Sequence, residues 1–406
     1  MSEGSATKIW FLQALRGIAS LLVMVRHLLV IFWHENQKVV VAFTYIEPKI
    51  NHDSLFYFRI FDFYSRYHFD LGPFGVALFF LISGFVIPLS LQKSNGIGFL
   101  VSRFFRIYPT YIIGFTITVF SIYLYTLIRG IAFPFGFKAY TAQILLIRDL
   151  LWLPSLDRVS WTLETEIKFY VLIWIIAISG KLNSAKTIGG VALLLGLMNV
   201  LFHSQYDYLL ANHVRVYQLV YIITYSATSL AFMLVGVCLY NYHVNNWTLG
   251  KSLITILFVF LAFISAFLNG PNADQITVYG VNYSLALLVF LSMYLIRDYL
   301  RPNKLLSFLA DISYPLYIVH CINGYILLTV LDHIHFSPYI SLIITIAIVI
   351  TIAYLLHRFV EIPSNRAGKK LAKKFETFTT INWRDGLLKI LTVYQRFNLR
   401  IFKGRT

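Results

Sequence analysis

Arg16 and His27 stand eleven residues apart in the stretch QALRGIASLLVMVRHLLVIFW, which is otherwise almost wholly apolar. At about 100° and 1.5 Å per residue, that interval returns to nearly the same helix face about 16 Å further along. One face therefore presents a guanidinium near one end of the helix and an imidazole deep toward the other. A guanidinium fork matches phosphate and carboxylate oxygens. An imidazole can take up and return a proton near neutral pH. Arg26 points about 100° away from His27. It reads as structural, either snorkelling outward or pairing with a carboxylate.

Three other stretches carry chemistry. In VSWTLETEIKFYVLIW, Glu164 and Lys168 are an i,i+4 pair of opposite charge, a structural role for that carboxylate. Glu166 lies on another face without such a partner. Its depth is comparable to that of His27, so a His27–Glu166 pair would hold the imidazole in one tautomer and raise its basicity. In SRFFRIYPTY, Arg103 and Arg106 are i,i+3 neighbours suited to phosphate, with positive-inside anchoring as the plain alternative. In ISYPLYIVHCI, Tyr314, Tyr317 and His320 follow at i,i+3 steps, an interfacial tyrosine belt with one buried histidine or a further part of a site. Gly75, Ser83 and Gly84 in FGVALFFLISGFVIPLS permit close helix approach.

These residues need helices in a bilayer to hold them. Of the 406 residues, 58% are hydrophobic and only 13% charged. The apolar residues come in blocks of about twenty, the length that crosses a hydrocarbon core. The expected fold is all-α, a polytopic membrane protein with about ten spans: 9–33, 71–92, 105–128, 164–180, 186–203, 222–241, 250–268, 278–297, 312–331 and 338–359. The segment 139–153 is too short and too charged to span and reads as an interfacial or re-entrant helix. Charged groups at bilayer depth cost roughly 2.5–3.5 kcal/mol each on insertion scales, so those retained are functional candidates. Most Lys and Arg fall on one side of this topology, which places both termini in the cytoplasm. The first span reads as retained, not as a cleaved signal. The long outer loop 34–70, with Glu35, His52, Asp53, Asp62, His68 and Asp70, is either solvated surface or an acceptor grip.

The net charge of +16 fits anionic lipid and the positive-inside rule; its distribution beside the spans argues against nucleic acid as a partner. Cys238 and Cys321 lie in apolar runs and read as packing residues; no His/Cys cluster has metal spacing. The transmembrane unit is expected over 1–363. Residues 364–406 read as a basic amphipathic cytoplasmic tail lying on anionic lipid.

Six strings occur in a telling order: LRGIASLLVMVRH, GVALFFLISGFVI, RFFRIYPTY, SWTLETEIKFY, SYPLYIVH and VEIP. Together they resemble the acyltransferase 3 family of membrane acyltransferases, which modify O-antigen of lipopolysaccharide, exopolysaccharide and related acceptors. The resemblance covers about residues 9–365. It implies an acyl-CoA donor taken from the cytoplasm, most commonly acetyl-CoA, and a hydroxyl acceptor on a cell-surface or lipid-linked glycan. It implies no cofactor or metal, and an inner-membrane location. It implies roles for Arg16 and His27, Arg103 and Arg106, Glu166 before Phe169 and Tyr170, and His320. A second acid often follows the glutamate in that family; here Ile167 stands in its place. Some members carry a C-terminal esterase-like domain, for which the residues after Ser364 are too few.

The expected scheme has Arg103, Arg106 and Arg16 binding the donor, His27 acting with Glu166 as the catalytic pair, and Tyr317, His320, Trp161 and Glu164 as candidates for acceptor binding or oxyanion stabilisation. Direct transfer and an acyl-histidine intermediate both remain open. So do two other classes: an acyl exporter feeding a separate transferase, and a proton-coupled transporter.

Overall fold

The computed structural model describes residues 10–35, 66–92 and 96–375. Among these residues the chain forms helices and no strand, as lipid demands when every backbone group must be satisfied internally. Helix α1 spans Trp10–Val25 and continues as a π-helical segment, Arg26–Glu35. There follow α2 (Leu71–Leu91), α3 (Gly96–Arg129), the short α4 (Phe137–Ile144) and α5 (Trp161–Ile178). Then come α6 (Ala185–His203), the short α7 (Tyr206–Asn212), α8 (Val214–His243) and α9 (Leu249–Leu268). The last are α10 (Ile276–Leu295), α11 (Lys304–His333) and α12 (Pro338–Leu356), which runs through a π turn, His357–Glu361, to Phe375.

Among the described residues nine helices are long and apolar enough to cross a bilayer. The span expected at 164–180 is present as α5, but Glu164, Glu166 and Lys168 in its first half deprive it of the uninterrupted apolar stretch of the others. With α5 the chain traverses the bundle ten times, so the start of α1 and the end of α12 share one end, here called the near end. Lys181, Lys251, Arg297, Arg301, Lys304 and the basic residues Arg366 to Lys374 also belong to the near end. The expected re-entrant segment is partly helical: α4 ends at Ile144, and turns carry the chain on. Most of the outer loop (36–65) and the tail beyond 375, including its expected amphipathic helix, lie outside the described residues.

Short polar caps start the spans. Ser184, Thr248, Asn303 and Ser337 each accept a hydrogen bond from a first-turn amide, satisfying donors that would otherwise be orphaned. Asp70 caps α2 through Gly72 N and also binds Arg26, Nε to Oδ1 at 2.6 Å and the terminal nitrogen to Oδ2 at 2.9 Å. Asn282 of α10 joins this clamp, accepting from Asp70 N and donating to the His68 carbonyl. Arg26 and Asp70 thus tie α1, α2 and α10 together.

The core is built on α1, α2, α8 and α11. α1 packs on α11 and α2, α2 on α8 and α10, and α11 on α3 and α12. α8 is the most enclosed span, whereas α6, α9 and α10 expose apolar side chains such as Leu194, Leu201, Ile254 and Leu257. An apolar surface that extensive faces lipid. α2 and α8 touch backbone to backbone: a Cβ on Gly84 would stand 2.1 Å from the Met233 carbonyl oxygen and 2.9 Å from Gly236 Cα. Both cysteines are buried free thiols.

Candidate active site

α1 delivers His27 one residue into its π-helical segment, opposite His320 in the middle of α11. Their rings meet edge-on, centroids 4.9 Å apart, with His320 Nε2 3.1 Å from His27 Nδ1. His320 Nδ1 lies 3.0 Å from both the Leu316 and Tyr317 carbonyl oxygens, so that nitrogen carries the hydrogen. His320 Nε2 is then an acceptor. His27 Nδ1 faces it and the Val23 carbonyl at 2.9 Å, so His27 also carries its hydrogen on Nδ1. What remains is His27 Nε2: a lone pair with no hydrogen bond to any other described residue, in a side chain only partly covered. Gly324 allows the approach, since a Cβ there would stand 2.3 Å from a Leu28 methyl.

Toward the near end, Arg16 and Glu166 share a small cavity of about 60 Å³ with Thr162, Tyr314 and Tyr317. Tyr317 bridges outward: its ring lies 5.8 Å from that of His320, and its hydroxyl meets Thr162 Oγ1 at 2.9 Å. Arg16 lines this cavity and His27 does not; Tyr317, in the lining and against the His320 ring, links the cavity to the histidine pair. Arg16 forms no hydrogen bond to another described residue, although Glu166, Glu361 and Arg106 lie within electrostatic reach.

Two pairings differ from those expected. Glu166 does not meet His27. Its Oε1 accepts from Ser83 Oγ at 3.0 Å and from the Tyr170 hydroxyl at 2.5 Å, level with Arg16. The reason is that α5 does not start at the surface: Ser160 and Val159 before it are buried, and the segment from 137 to 160 folds over it. Likewise Glu164 does not pair with Lys168. Arg148 takes it in a two-point grip at 3.0 and 2.5 Å, and Lys168 turns to Asp149 and to Ser226. A planar fork satisfying both carboxylate oxygens outcompetes an i,i+4 contact. Burial works against the Arg148 charge, but Glu164 outweighs it and holds the guanidinium above its ordinary pKa.

Glu164→Gln is accordingly expected to lower the melting temperature more than Glu166→Gln. Breaking a buried pair by removing one partner costs about 3 kcal/mol or more, whereas a glutamine at 166 still accepts from Ser83 and Tyr170. Turnover is expected to follow the opposite order, Glu166→Gln losing more. Melting curves and rates on the same two preparations check this; a Glu164→Gln protein of normal stability but low turnover would reverse the two roles.

The arginine pair divides. Arg103 is buried, donates to Ser90 Oγ, and lies over the rings of Phe99 and Tyr170 at 5.3 and 5.6 Å. Arg106 is half-buried and makes no hydrogen bond to another described residue. Its donors are the ones open to a ligand. Glu361 of the VEIP string is buried, with its Oε2 2.8 Å from His357 Nδ1. Trp161 is half-buried at the start of α5, between Phe80 and Tyr225. Among the described residues no cluster of His, Cys, Asp and Glu could hold a metal ion.

Asp157 is a residue the sequence reading passed over. It is buried, and its Oδ1 accepts from Gln143 Nε2, Ser155 Oγ, Val159 N and Ser160 N, while Tyr111 donates to Oδ2. Its sequence signal was a serine and an aspartate in SLDRVS just ahead of a helix, a turn-building composition.

The fold and site define a multi-pass helical membrane protein with a paired-histidine centre above an arginine–glutamate cavity. A family model described as an acyltransferase domain matches residues 9–358, and the chain belongs to that family, acyltransferase 3. It is a membrane acyltransferase. Searches of curated proteins and of solved structures return no matching chain.

Proposed function

We propose that this enzyme moves an acyl group, acetyl by default, from cytoplasmic acyl-CoA to a hydroxyl of a cell-surface or lipid-linked glycan, and that it resides in the inner membrane with the near end toward the cytoplasm. The observation that carries the reading is the His27–His320 hydrogen-bond pattern, which leaves one imidazole lone pair without a hydrogen bond to another described residue, with Tyr317 linking His320 to the cavity that Arg16 lines. Coenzyme A phosphates bind at Arg106 and Arg16, with Arg103 walling the site. The acyl-pantetheine arm extends along the Arg16 face. His27 Nε2 takes the proton of the acceptor hydroxyl as its oxygen attacks the thioester carbonyl. Its Nδ1–H leans on His320 Nε2 while the ring is cationic, and the proton then passes to the departing CoA thiolate. His320 takes the supporting place that the sequence assigned to Glu166, and Glu166 balances Arg16.

The test is free-thiol release from acetyl-CoA by the purified protein, wild type beside His27→Ala. Release that needs His27 and rises with added glycan is the expected result; equal release from both proteins would remove His27 from the chemistry. Donor titration separates the arginines. Arg106→Ala is expected to raise the KM for acyl-CoA by about tenfold, the scale of one charge-assisted contact, with kcat little changed. Arg103→Ala is expected to lower stability first. An unchanged KM in Arg106→Ala would leave that residue a topological role alone.

A further inference from the structure

At the end of the bundle opposite Arg16, a cavity of about 640 Å³ opens between the segment from 148 to 158, the start of α5 and the first turns of α8. Its wall is aromatic. The Trp152 ring meets Tyr221 edge-on at 5.3 Å, Tyr221 stacks on Tyr225 at 6.1 Å, and Tyr225 meets Trp161 at 6.0 Å. The four rings form a continuous run leading inward to Trp161. One residue further, Thr162 bonds Tyr317, which abuts His320. Thr162 and Tyr317 thus connect the inner end of the wall to the histidine pair.

The polar lining is fixed in place. Arg148 is held by Glu164, and the Asp149 carboxylate, also in the lining, by Lys168, so these charges cancel while their remaining donor and acceptor positions stay rigid. Arg158 is the exception: its side chain makes no hydrogen bond to another described residue, and its charge reaches His27. The backbone is strained where it presents these groups. Trp152 and Arg158 have φ of 51° and 64°, in the left-handed region that non-glycine residues seldom occupy. Such strain persists only where the surroundings impose it, and it gathers at binding sites. At Arg158 Asp157 imposes it, binding the amides of Val159 and Ser160 while Ser155 Oγ accepts from Arg158 N.

We infer that this cavity is the acceptor site and that it takes a pyranose ring, stacked on the Trp152–Tyr221–Tyr225–Trp161 wall, with Arg158 steering one ring hydroxyl toward His27. The inference rests on the acyltransferase reading for its direction and on the cavity for its chemistry. A sugar offers an apolar C–H face and a rim of hydroxyls, which aromatic faces and a few fixed polar groups together match. Donor phosphates would need net positive charge, and here only Arg158 is uncompensated among the described lining residues. A lipid chain would have no use for two fixed ion pairs.

The test is equilibrium dialysis of tritiated methyl glycosides of glucose, galactose, mannose, rhamnose and N-acetylglucosamine against the full-length protein in lipid nanodiscs, where no sugar-headed detergent competes. Wild type is compared with Trp152→Gly and Arg158→Gly. Glycine relieves the positive φ at both positions, so folding is preserved as the side chain is lost, and melting curves on the same samples verify it. Saturable binding of at least one glycoside is expected, at least about tenfold weaker in each variant, and retained in His27→Ala. No binding by wild type, or equal binding by both glycine variants, overturns the site. Cavity-dependent binding without His27-dependent thiol release would retain the site and refute the mechanism; the converse would retain the mechanism and refute the site.

Discussion

Alanine at either His27 or His320 is expected to cost about 10²–10⁴-fold in turnover, the range of a lost general base, and alanine at both is expected to cost scarcely more, because the two act as a unit. His27 holds the lone pair that meets the substrate. His320 offers Nε2 as an acceptor 3.1 Å from His27 Nδ1, with its own hydrogen committed to two backbone carbonyls. When His27 becomes cationic that contact turns into a charge-assisted hydrogen bond, which is worth more than the neutral one. His320→Gln can still present a carbonyl oxygen to Nδ1–H and is expected to recover part of the rate. Measured kcat values for the two single variants, the double variant and the glutamine variant decide the matter. Losses that multiply in the double variant would show that the rings work separately.

A side chain larger than a methyl group at Gly84 is expected to abolish the folded bundle. The atoms its Cβ would meet are backbone, the Met233 carbonyl at 2.1 Å and Gly236 Cα at 2.9 Å, and a Cβ on Gly236 would reciprocally stand 2.5 Å from the Leu81 carbonyl. A flexible side chain could swing away; two helix backbones cannot. Overpacking a well-packed core typically costs about 1–3 kcal/mol, and parting α2 from α8 also disturbs Ser83, which holds Glu166, and the Val76 and Phe79 wall of the Arg16 cavity. Gly84→Ala is expected to lower the melting temperature and Gly84→Val to leave no monodisperse peak on size exclusion. Gly190→Ala, where nothing lies within 4 Å of the new methyl, serves as the control and should match wild type. A Gly84→Val protein that elutes and melts normally would mean that the close crossing is dispensable.

Much of this was legible in the residues. Blocks of about twenty apolar residues placed the spans because bilayer thickness fixes their length. The Arg16–His27 interval could be drawn from helical periodicity, and α1 with its π-helical continuation carries both residues. Other features depend on contacts that periodicity does not encode. The partner of His27 lies 293 residues away. Glu166 was placed at the wrong depth because nothing local says that α5 begins beneath a folded cover. Arg148 was visible in AYTAQILLIRDLLWL, but its grip on Glu164 needs the turns after α4, which bring residues sixteen apart in sequence face to face. The equivalence assumed for Arg103 and Arg106 fails because one guanidinium lies between two aromatic rings and the other does not.

The ion pairs at the head of α5 bear on how the chain enters the bilayer. Three charged side chains, each costing roughly 2.5–3.5 kcal/mol at mid-membrane, make this segment a poor candidate for independent release from a translocon. Arg148 and Asp149 supply the compensating charges, and both emerge from the ribosome before Glu164 and Lys168. Synthesis order thus delivers the counter-ions of Glu164 and Lys168 first, so α5 is expected to enter lipid with those two charges already paired and Glu166 left to its hydrogen bonds from Ser83 and Tyr170.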